Sequence, residues 1–387
     1  MATESGPFYS FKETSTTGLL KRSVDPIIQS IDTKWTPMRE IFGYNGFTAD
    51  ATKVEYLERN DVPIIGTMGT VAITDWNGTG IKVALPVTDA SVFCVYDVLW
   101  TANGEIVIVS ALDETANTID VISRADCGST ESITNVTGDN LYIIGQAQLE
   151  GYTYGLSPRF LPSVQKYNAI QLFHQDVEVT DIMEAVAKYG QKSLYSDELA
   201  KKTLRIAKLL ERALLYGGYQ AGDGTNPGTM QGLIGPGTDA YLCNIQTNTT
   251  SVGGALTEIV IQDGMQTIFE AGGDPSLIML PPKQKRKFSA FRTDQRRYGP
   301  TEAKIGDIID TYFSDFGVCQ IVINHYMMDD DLIIMDKKNL KIGPLTGLGF
   351  HTGVLPETKA AKQGYVKGYY TMKFFNEEHS TWLYGLT

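Results

Sequence analysis

Three observations predict an α+β fold. Tyr195–Tyr216 has the period of an amphipathic helix, the stretches after it run helix, strand, helix and then paired strands, and residues 82–145 read as strands alone. Helices over one sheet, with a small all-β block beside them in the chain order, meet all three. A length of 387 residues favours two or three domains, because single cores of that size are uncommon. With 42% hydrophobic and 20% charged residues, and no apolar run of bilayer length, the chain is expected to be globular and soluble. Residues 1–16, MATESGPFYSFKETST, lack the basic flank and apolar block of a signal peptide, so nothing directs export. The net charge of -12 disfavours a protein whose main task is to grip nucleic acid and leaves room only for a local basic strip. Cys94, Cys127, Cys243 and Cys319 show no CxxC spacing and fit buried thiols in a reducing compartment.

The long helix is marked at both ends. Ser196 can cap it, Asp197 and Glu198 place carboxylates in its first turn, and Gly217 offers a left-handed stop. Leu199, Thr203, Ile206, Leu210, Ala213 and Leu214 gather on one face, while Lys201, Arg205, Lys208 and Arg212 line the opposite one. About twenty residues at 1.5 Å each make a rod of roughly 30 Å.

The remaining elements follow along the chain. Pro7, Pro26 and Pro37 interrupt residues 1–50, where VDPIIQSI (24–31) and PMREIFGY (37–44) each suit a short amphipathic turn on something larger. From Lys53 the KVEYLERND stretch alternates and then becomes glycine-punctuated, as an extended hairpin or loop would. VYDVLWT and EIVIVSAL meet across Asn103-Gly104, a second turn at Glu114–Asn117 leads into TIDVISR, and NLYIIGQAQ adds a strand, so the block can close into a barrel or sandwich. YNAIQLFHQDVEVTDI is extended and leads through helical residues at Met183–Tyr189 into the long helix. After the glycine-rich run come a second helix (253–273), a buried strand in SLIMLPP, and a third helix at Lys283–Phe291. FGVCQIVINHYM and DLIIMDKKNLKI are expected to form a hairpin across Asp329-Asp330, followed by strands in GYYTMKFFNEE and STWLYGLT.

Catalytic and ligand motifs are sparse. GDGTNPGT has the glycines of a phosphate loop but no lysine and follows a helix, so a flexible connector is its plain reading. No G-x-G-x-x-G or G-x-S-x-G pattern is present. His174, His325, His351 and His379 have no metal spacing; Cys319 and His325 share a face of one expected strand, which is either a buried face or a Cys/His dyad. Asp329, Asp330, Asp331 and Asp336 suit a solvated turn or, less well, a calcium loop without its glycine and distal glutamate. No catalytic, cofactor-binding or metal residue is assigned. Lys201, Arg205, Lys208 and Arg212 are either a solvated helix face or a contact for polyanion or acidic neighbours.

In their order, these parts resemble the major capsid proteins of tailed phages, with the Hong-Kong-97-type fold, and especially the long-chained subgroup with an extra β-domain. The likeness runs from about Lys53 to the C-terminus. It is carried by YNAIQLFHQDVEVTD before the long helix, GGYQAGDGTNPGTMQGLIGPG after it, AGGDPSLIMLPPKQKRKFSAF, YFSDFGVCQIVINHYMMDDDLIIMD and the closing GYYTMKFFNEEHSTWLYGL. The resemblance implies an N-terminal arm at 1–52, an extended loop at 53–81 and 146–165, and an inserted β-barrel-like domain at 82–145. It further implies a peripheral domain at 166–250 and 346–387 with its spine helix at 196–216, and an axial domain at 251–345. The implied role is self-assembly into the icosahedral head shell around the double-stranded DNA genome of a tailed bacteriophage, without enzymatic activity, cofactor or metal. Implied partners are copies of the same chain in hexamers and pentamers, a portal protein, a separate scaffolding protein, a decoration protein and, non-specifically, packaged DNA, with no membrane. The protein would be made in the host bacterial cytoplasm and reside in the virion, and the four basic residues of the spine would face the lumen or a neighbouring subunit. An encapsulin-type nanocompartment shell would share the fold. A tail structural protein would leave the spine helix unexplained, and an enzyme with a dispersed site is the rival of another class.

Overall fold

The computed structural model describes residues 36–59, 64–69, 82–102, 104, 106–123, 138–148, 150–151, 163–186, 193–235, 243–289, 296–297, 310–356 and 359–387. The expected turn at 24–31 and Cys127 lie outside them. The chain divides into two compact units, Met1–Tyr56 with Lys166–Thr387, and Leu57–Gln165. Both α and β elements are present, as the α+β class requires.

The larger unit is built on helix α3 (Leu194–Tyr216) and two sheets. Its four-stranded sheet centres on β18 (Ala361–Phe374). β9 (Gln171–Thr180) pairs antiparallel along Ala361–Tyr370, and β17 (His351–Val354) and β16 (Leu340–Pro344) share the other edge in succession. A short ribbon of β1 (Lys53–Glu58) with β8 (Val164–Ala169) leads out of this unit and back; Val54, Tyr56 and Glu58 turn inward while Lys53, Glu55 and Leu57 stay exposed, as the alternation predicts.

The second sheet has seven strands, in the order β10 (Thr249–Ser251), β19 (Ser380–Tyr384), β15 (Leu332–Met335), β11 (Leu277–Leu280), β14 (Gly317–Ile323), β13 (Asp310–Ser314) and β12 (Arg296–Arg297). The expected hairpin across Asp329-Asp330 does not form. β14 and β15 are separated by β11, which runs parallel to β14 and antiparallel to β15. The physical reason is burial: β11 and β15 are inaccessible on both faces, so each is stable only with a strand on either side and helices or sheet above and below. Leu277 and Met279 point to one core, Ile278 and Leu280 to the other.

The first core joins Ile206, Leu210, Leu214 and Leu215 of α3 to Val366, Met372 and Phe374 of β18 and to Ile333 and Met335 of β15. One face of the spine therefore serves both sheets. The second core lies under α4 (Glu258–Glu270), which contributes Ile261, Met265 and Ile268, and α5 (Pro282–Ser289), which contributes Phe288. Helix α1 (Pro37–Phe42) adds Met38 to the first core, and α2 (Asp181–Ala185) follows β9 directly.

Two end signals of α3 are corrected. The helix starts before Ser196: Ser193 is extended, and its hydroxyl accepts from the Ser196 N–H at 3.4 Å. Gly217 is not left-handed; its φ and ψ are -66° and 138°. A glycine is needed there for another reason, since a side chain would run into the backbone of Met230 and Ala213.

The smaller unit is one antiparallel sheet in the order β2 (Ile65–Thr67), β7 (Asn140–Gln146), β4 (Asp97–Thr101), β5 (Ile106–Asp113), β6 (Thr118–Ser123) and β3 (Lys82–Pro86). Its end strands meet. Met68 bridges Val87, and the Gly69 and Thr88 N–H groups donate to Pro86 and Thr67 at 2.8 and 3.0 Å, so the sheet closes on itself. Leu85, Leu99, Val107, Val109, Ile119, Val121 and Leu141 fill it. Both local turns behave as their residues suggest: Gly104 has a φ of +85°, and Asp113 accepts from the Thr115 and Ala116 N–H groups before left-handed Asn117.

Candidate functional site

The four basic residues of α3 occupy its outer side. Lys201, Arg205 and Arg212 are exposed and Lys208 is half-buried, on successive turns. Lys201 pairs with Glu198 at 3.0 Å, one turn earlier. An exposed pair of this kind contributes about 0.3–0.5 kcal/mol, so it does little to fix the helix.

The opposite side holds a residue that periodicity assigned to no role. Glu211 is fully buried beside Leu210 and Leu214. The Met38 N–H donates to its Oε1 at 2.8 Å and Asn324 Nδ2 donates to the same oxygen at 3.1 Å, while Oε2 has no partner. Burial, opposed by these donors, pushes the carboxyl up to about 7. A faint signal for it exists in the sequence, because a glutamate between Leu210 and Leu214 lies at the margin of the apolar face.

The acidic cluster is not a solvated turn throughout. Asp331 is buried and accepts from the Tyr216 hydroxyl at 2.8 Å and from Trp382 Nε1 at 3.0 Å. The Tyr216 hydroxyl in turn accepts from the Met328 N–H at 2.7 Å, tying the end of the spine to the loop before β15. Burial holds the Asp331 carboxyl above the usual carboxylate range despite both donors. Asp336 caps the following 3-10 turn through the Lys338 N–H at 3.0 Å. Among the described residues, no group of three or more His, Cys, Asp or Glu side chains could hold a metal.

Cys319 and His325 do not share a strand face. β14 ends at Ile323, which leaves His325 exposed beyond it. The Cys319 thiol is buried, donates to the Pro275 carbonyl, and is pushed up to about 12 by desolvation, so it is no nucleophile. The glycine-rich stretch after α3 is an ordered turn where it is described. Gln220 and Thr229 bridge, Asp223 accepts from the Thr225 and Asn226 N–H groups, and buried Asn168 fixes the Gln231 backbone at both its N–H and its carbonyl.

Exposed apolar side chains gather in separate places on each unit. On the barrel, Ile65 and Trp100 are each in register with Tyr142, on three adjoining strands, and the Trp100 and Tyr142 rings are 6.3 Å apart. In the larger unit Phe313 pairs across strands with Val318, near the ring pair Phe269 and Phe316 at 5.6 Å. Ile182, Met183 and Val186 project from the region of α2, with Ile182 at 77% exposure. Clusters of this kind on a folded chain are candidate interaction surfaces. No helix of the described residues is long and apolar enough to cross a membrane.

A family model described as SU10 major capsid protein matches residues 9–387. No curated protein matches the sequence. Among solved structures, the capsid of an empty GTA particle aligns at 9% identity with a TM-score of 0.48, covering 98% of this chain and 100% of that one. Microbacterium phage Oxtober96 aligns at 10% identity and a TM-score of 0.46, covering 95% and 96%. The holo-SrpI encapsulin complex of Synechococcus elongatus PCC 7942 aligns at 10% identity and 0.42, covering 58% of this chain and 78% of that one.

Proposed function

The chain belongs to the SU10 major capsid protein family, and from that premise we propose that copies of it assemble, as hexamers and pentamers, into the icosahedral head shell around the double-stranded DNA of a tailed bacteriophage. The match across residues 9–387 carries this reading, because it takes in both units and not a fragment shared with other proteins. The role is structural: arms, loops and sheet faces of each copy cover apolar surface on others, and many modest interfaces add up through multivalency. The exposed clusters at Trp100 and Tyr142, at Phe313 and Val318, and at Ile182 and Met183 are the surfaces such contacts would bury.

On this reading residues 1–52 are an arm, 53–81 with 146–165 an extended loop around an inserted domain at 82–145, 166–250 with 346–387 a peripheral domain, and 251–345 an axial domain. The sheets do not follow those limits throughout: Leu340–Pro344 joins the four-stranded sheet, Thr249–Ser251 and Ser380–Tyr384 the seven-stranded one, and Ile65–Thr67 the barrel. A portal protein, a separate scaffolding protein and a decoration protein complete the particle. Synthesis takes place in the bacterial host cytoplasm. Lys201, Arg205, Lys208 and Arg212 touch packaged DNA or acidic residues of a neighbouring copy, which a net charge of -12 supplies in quantity.

Negative-stain electron microscopy of the purified full-length protein, alone and with phage lysate fractions, tests the assembly. Closed shells or hexamer and pentamer rings are expected. A small monomer that persists under every assembly condition would overturn it.

A further inference from the structure

A dense block of positive charge lies on α5, away from the spine. Residues 283–297, KQKRKFSAFRTDQRR, hold seven Lys and Arg against one Asp, in a protein whose net charge is -12. Lys283, Lys285, Arg286 and Lys287 of this run fall on α5, which begins at Pro282, one residue after the end of β11. The inner edge of the helix is pinned at two points. Phe288 is buried edge-on against Tyr312 of β13, with ring centroids 5.2 Å apart, and buried Gln284 donates from Nε2 to the Asp329 carbonyl at 2.6 Å. At about 100° per residue, Lys283, Arg286 and Lys287 then share an arc of about 100° turned away from that edge. Lys283 and Arg286 are exposed and Lys287 is half-buried.

This placement runs against what would stabilise α5 by itself. Lys283 stands in the first turn, where the macrodipole disfavours a cation, and no acidic residue accompanies it there. Lys283 and Lys287 are like charges at i,i+4, a destabilising spacing. Arg286 and Lys287 do suit the C-terminal end of the dipole, which accounts for two of the three cations and not for the first. Elsewhere, exposed lysines are taken up by carboxylates: Lys53 by Glu55 at 2.8 Å, Lys338 by Asp274 at 3.5 Å and Lys359 by Glu178 at 2.7 Å. Among the described residues, no carboxylate pairs with Lys283, Arg286 or Lys287. A helix held in place by Gln284 and Phe288 thus presents three cations that its own chain leaves unneutralised.

We propose that Lys283, Arg286 and Lys287 form a contact for the phosphate backbone of double-stranded DNA. Charge density selects the partner. Four residues of helical rise bring the three cations within about 6 Å. Duplex DNA carries one negative charge per roughly 1.7 Å of its axis, which is three to four over the same length. A second copy of this chain spreads its excess of 12 negative charges over 387 residues and on average presents far less. The four cations of the spine extend over about 17 Å of rise, and Lys201 among them is already held by Glu198. The contact is independent of base sequence, because only phosphates are met. The choice of DNA as the polyanion rests on the shell reading above, whereas the binding of a polyanion by α5 does not.

Fluorescence anisotropy of a short labelled duplex tests the contact. The full-length protein is taken as the unassembled fraction from size-exclusion chromatography, so that every face is open to added DNA. Each phosphate contact contributes about 0.9 to the slope of log affinity against log salt, so Lys283→Gln with Arg286→Gln and Lys287→Gln is expected to lower that slope by about 2.7. Over the change from about 50 to 200 mM salt, the wild type should then lose roughly 40-fold more affinity than the triple variant. Lys53→Gln with Lys338→Gln and Lys359→Gln removes the same net charge from lysines that already have partners, and should keep the wild-type slope. A wild-type slope in the α5 variant, or an equal drop in the second one, would overturn the proposal. A polyglutamate peptide that binds the wild type as tightly as the duplex, and is lost with it in the α5 variant, would overturn the choice of DNA in favour of an acidic protein. Electron microscopy of the same preparations under assembly conditions separates the two readings: wild-type shells with unchanged slopes sink the α5 contact alone. A slope difference in a wild type that never assembles supports the contact and sinks the shell.

Discussion

The barrel strand β4 and the sheet strand β11 bury their side chains in different ways. β4 alternates, with Leu99 inside and Trp100 about half exposed. β11 does not alternate, because it lies in mid-sheet with a core on each face, and all four of its residues are buried. β4 acquires one neighbour, β5, by a turn of a few residues, and its other, β7, from about forty residues further on. β11 acquires its partners from strands about forty and sixty residues further on. A strand with one wet face has positions to spare for binding; a strand between two cores has none.

The largest effects are therefore expected in β11, and at both registers. Met279→Ala and Ile278→Ala should each cost about 2–5 kcal/mol in urea denaturation, because each opens a cavity in a different core. In β4 the same pair of neighbours should split: Leu99→Ala about 2–5 kcal/mol and Trp100→Ser within about 0.5 kcal/mol. Equal costs at 99 and 100, or a split at 278 and 279, would break the comparison. Next in size is Asp331→Asn, which turns one of two buried acceptors toward a donor; a loss of about 1–3 kcal/mol is expected, with Trp382 fluorescence reporting the altered indole contact. The smallest change in stability belongs to the spine's outer face. Arg205→Glu with Arg212→Glu should leave the denaturation midpoint within about 0.5 kcal/mol while shell yield or DNA packaging falls; unchanged yield and packaging would remove these residues from any partner surface.

The same contrast explains what could be read ahead of the structure. The barrel's turns were legible because Asn103-Gly104 and the Glu114–Asn117 turn act on adjacent strands, and local chemistry is all that a short turn needs. The spine and α4 were legible because their period and their stops are local too. β14 and β15 misled, since two apolar runs joined by an acidic turn resemble a hairpin and nothing local reveals the strand that comes between them. Glu211 and Asp331 were missed for a related reason. Each is a carboxyl whose surroundings come from distant segments, Met38 and Asn324 for the one, Tyr216 and Trp382 for the other. The basic side of α3 was visible from periodicity, but a helical period names no partner for it.

β19 has a consequence for synthesis. It follows every other described element in the chain, yet it lies inside the seven-stranded sheet, between β10 and β15. While ribosomes are still making the rest, β15 has an open edge, and Asp331 lacks the Trp382 indole that will receive it. A nascent or prematurely terminated copy thus cannot complete this sheet. Only a chain that has been read through Tyr384 can pair the open edge of β15 and seat β10 beside it.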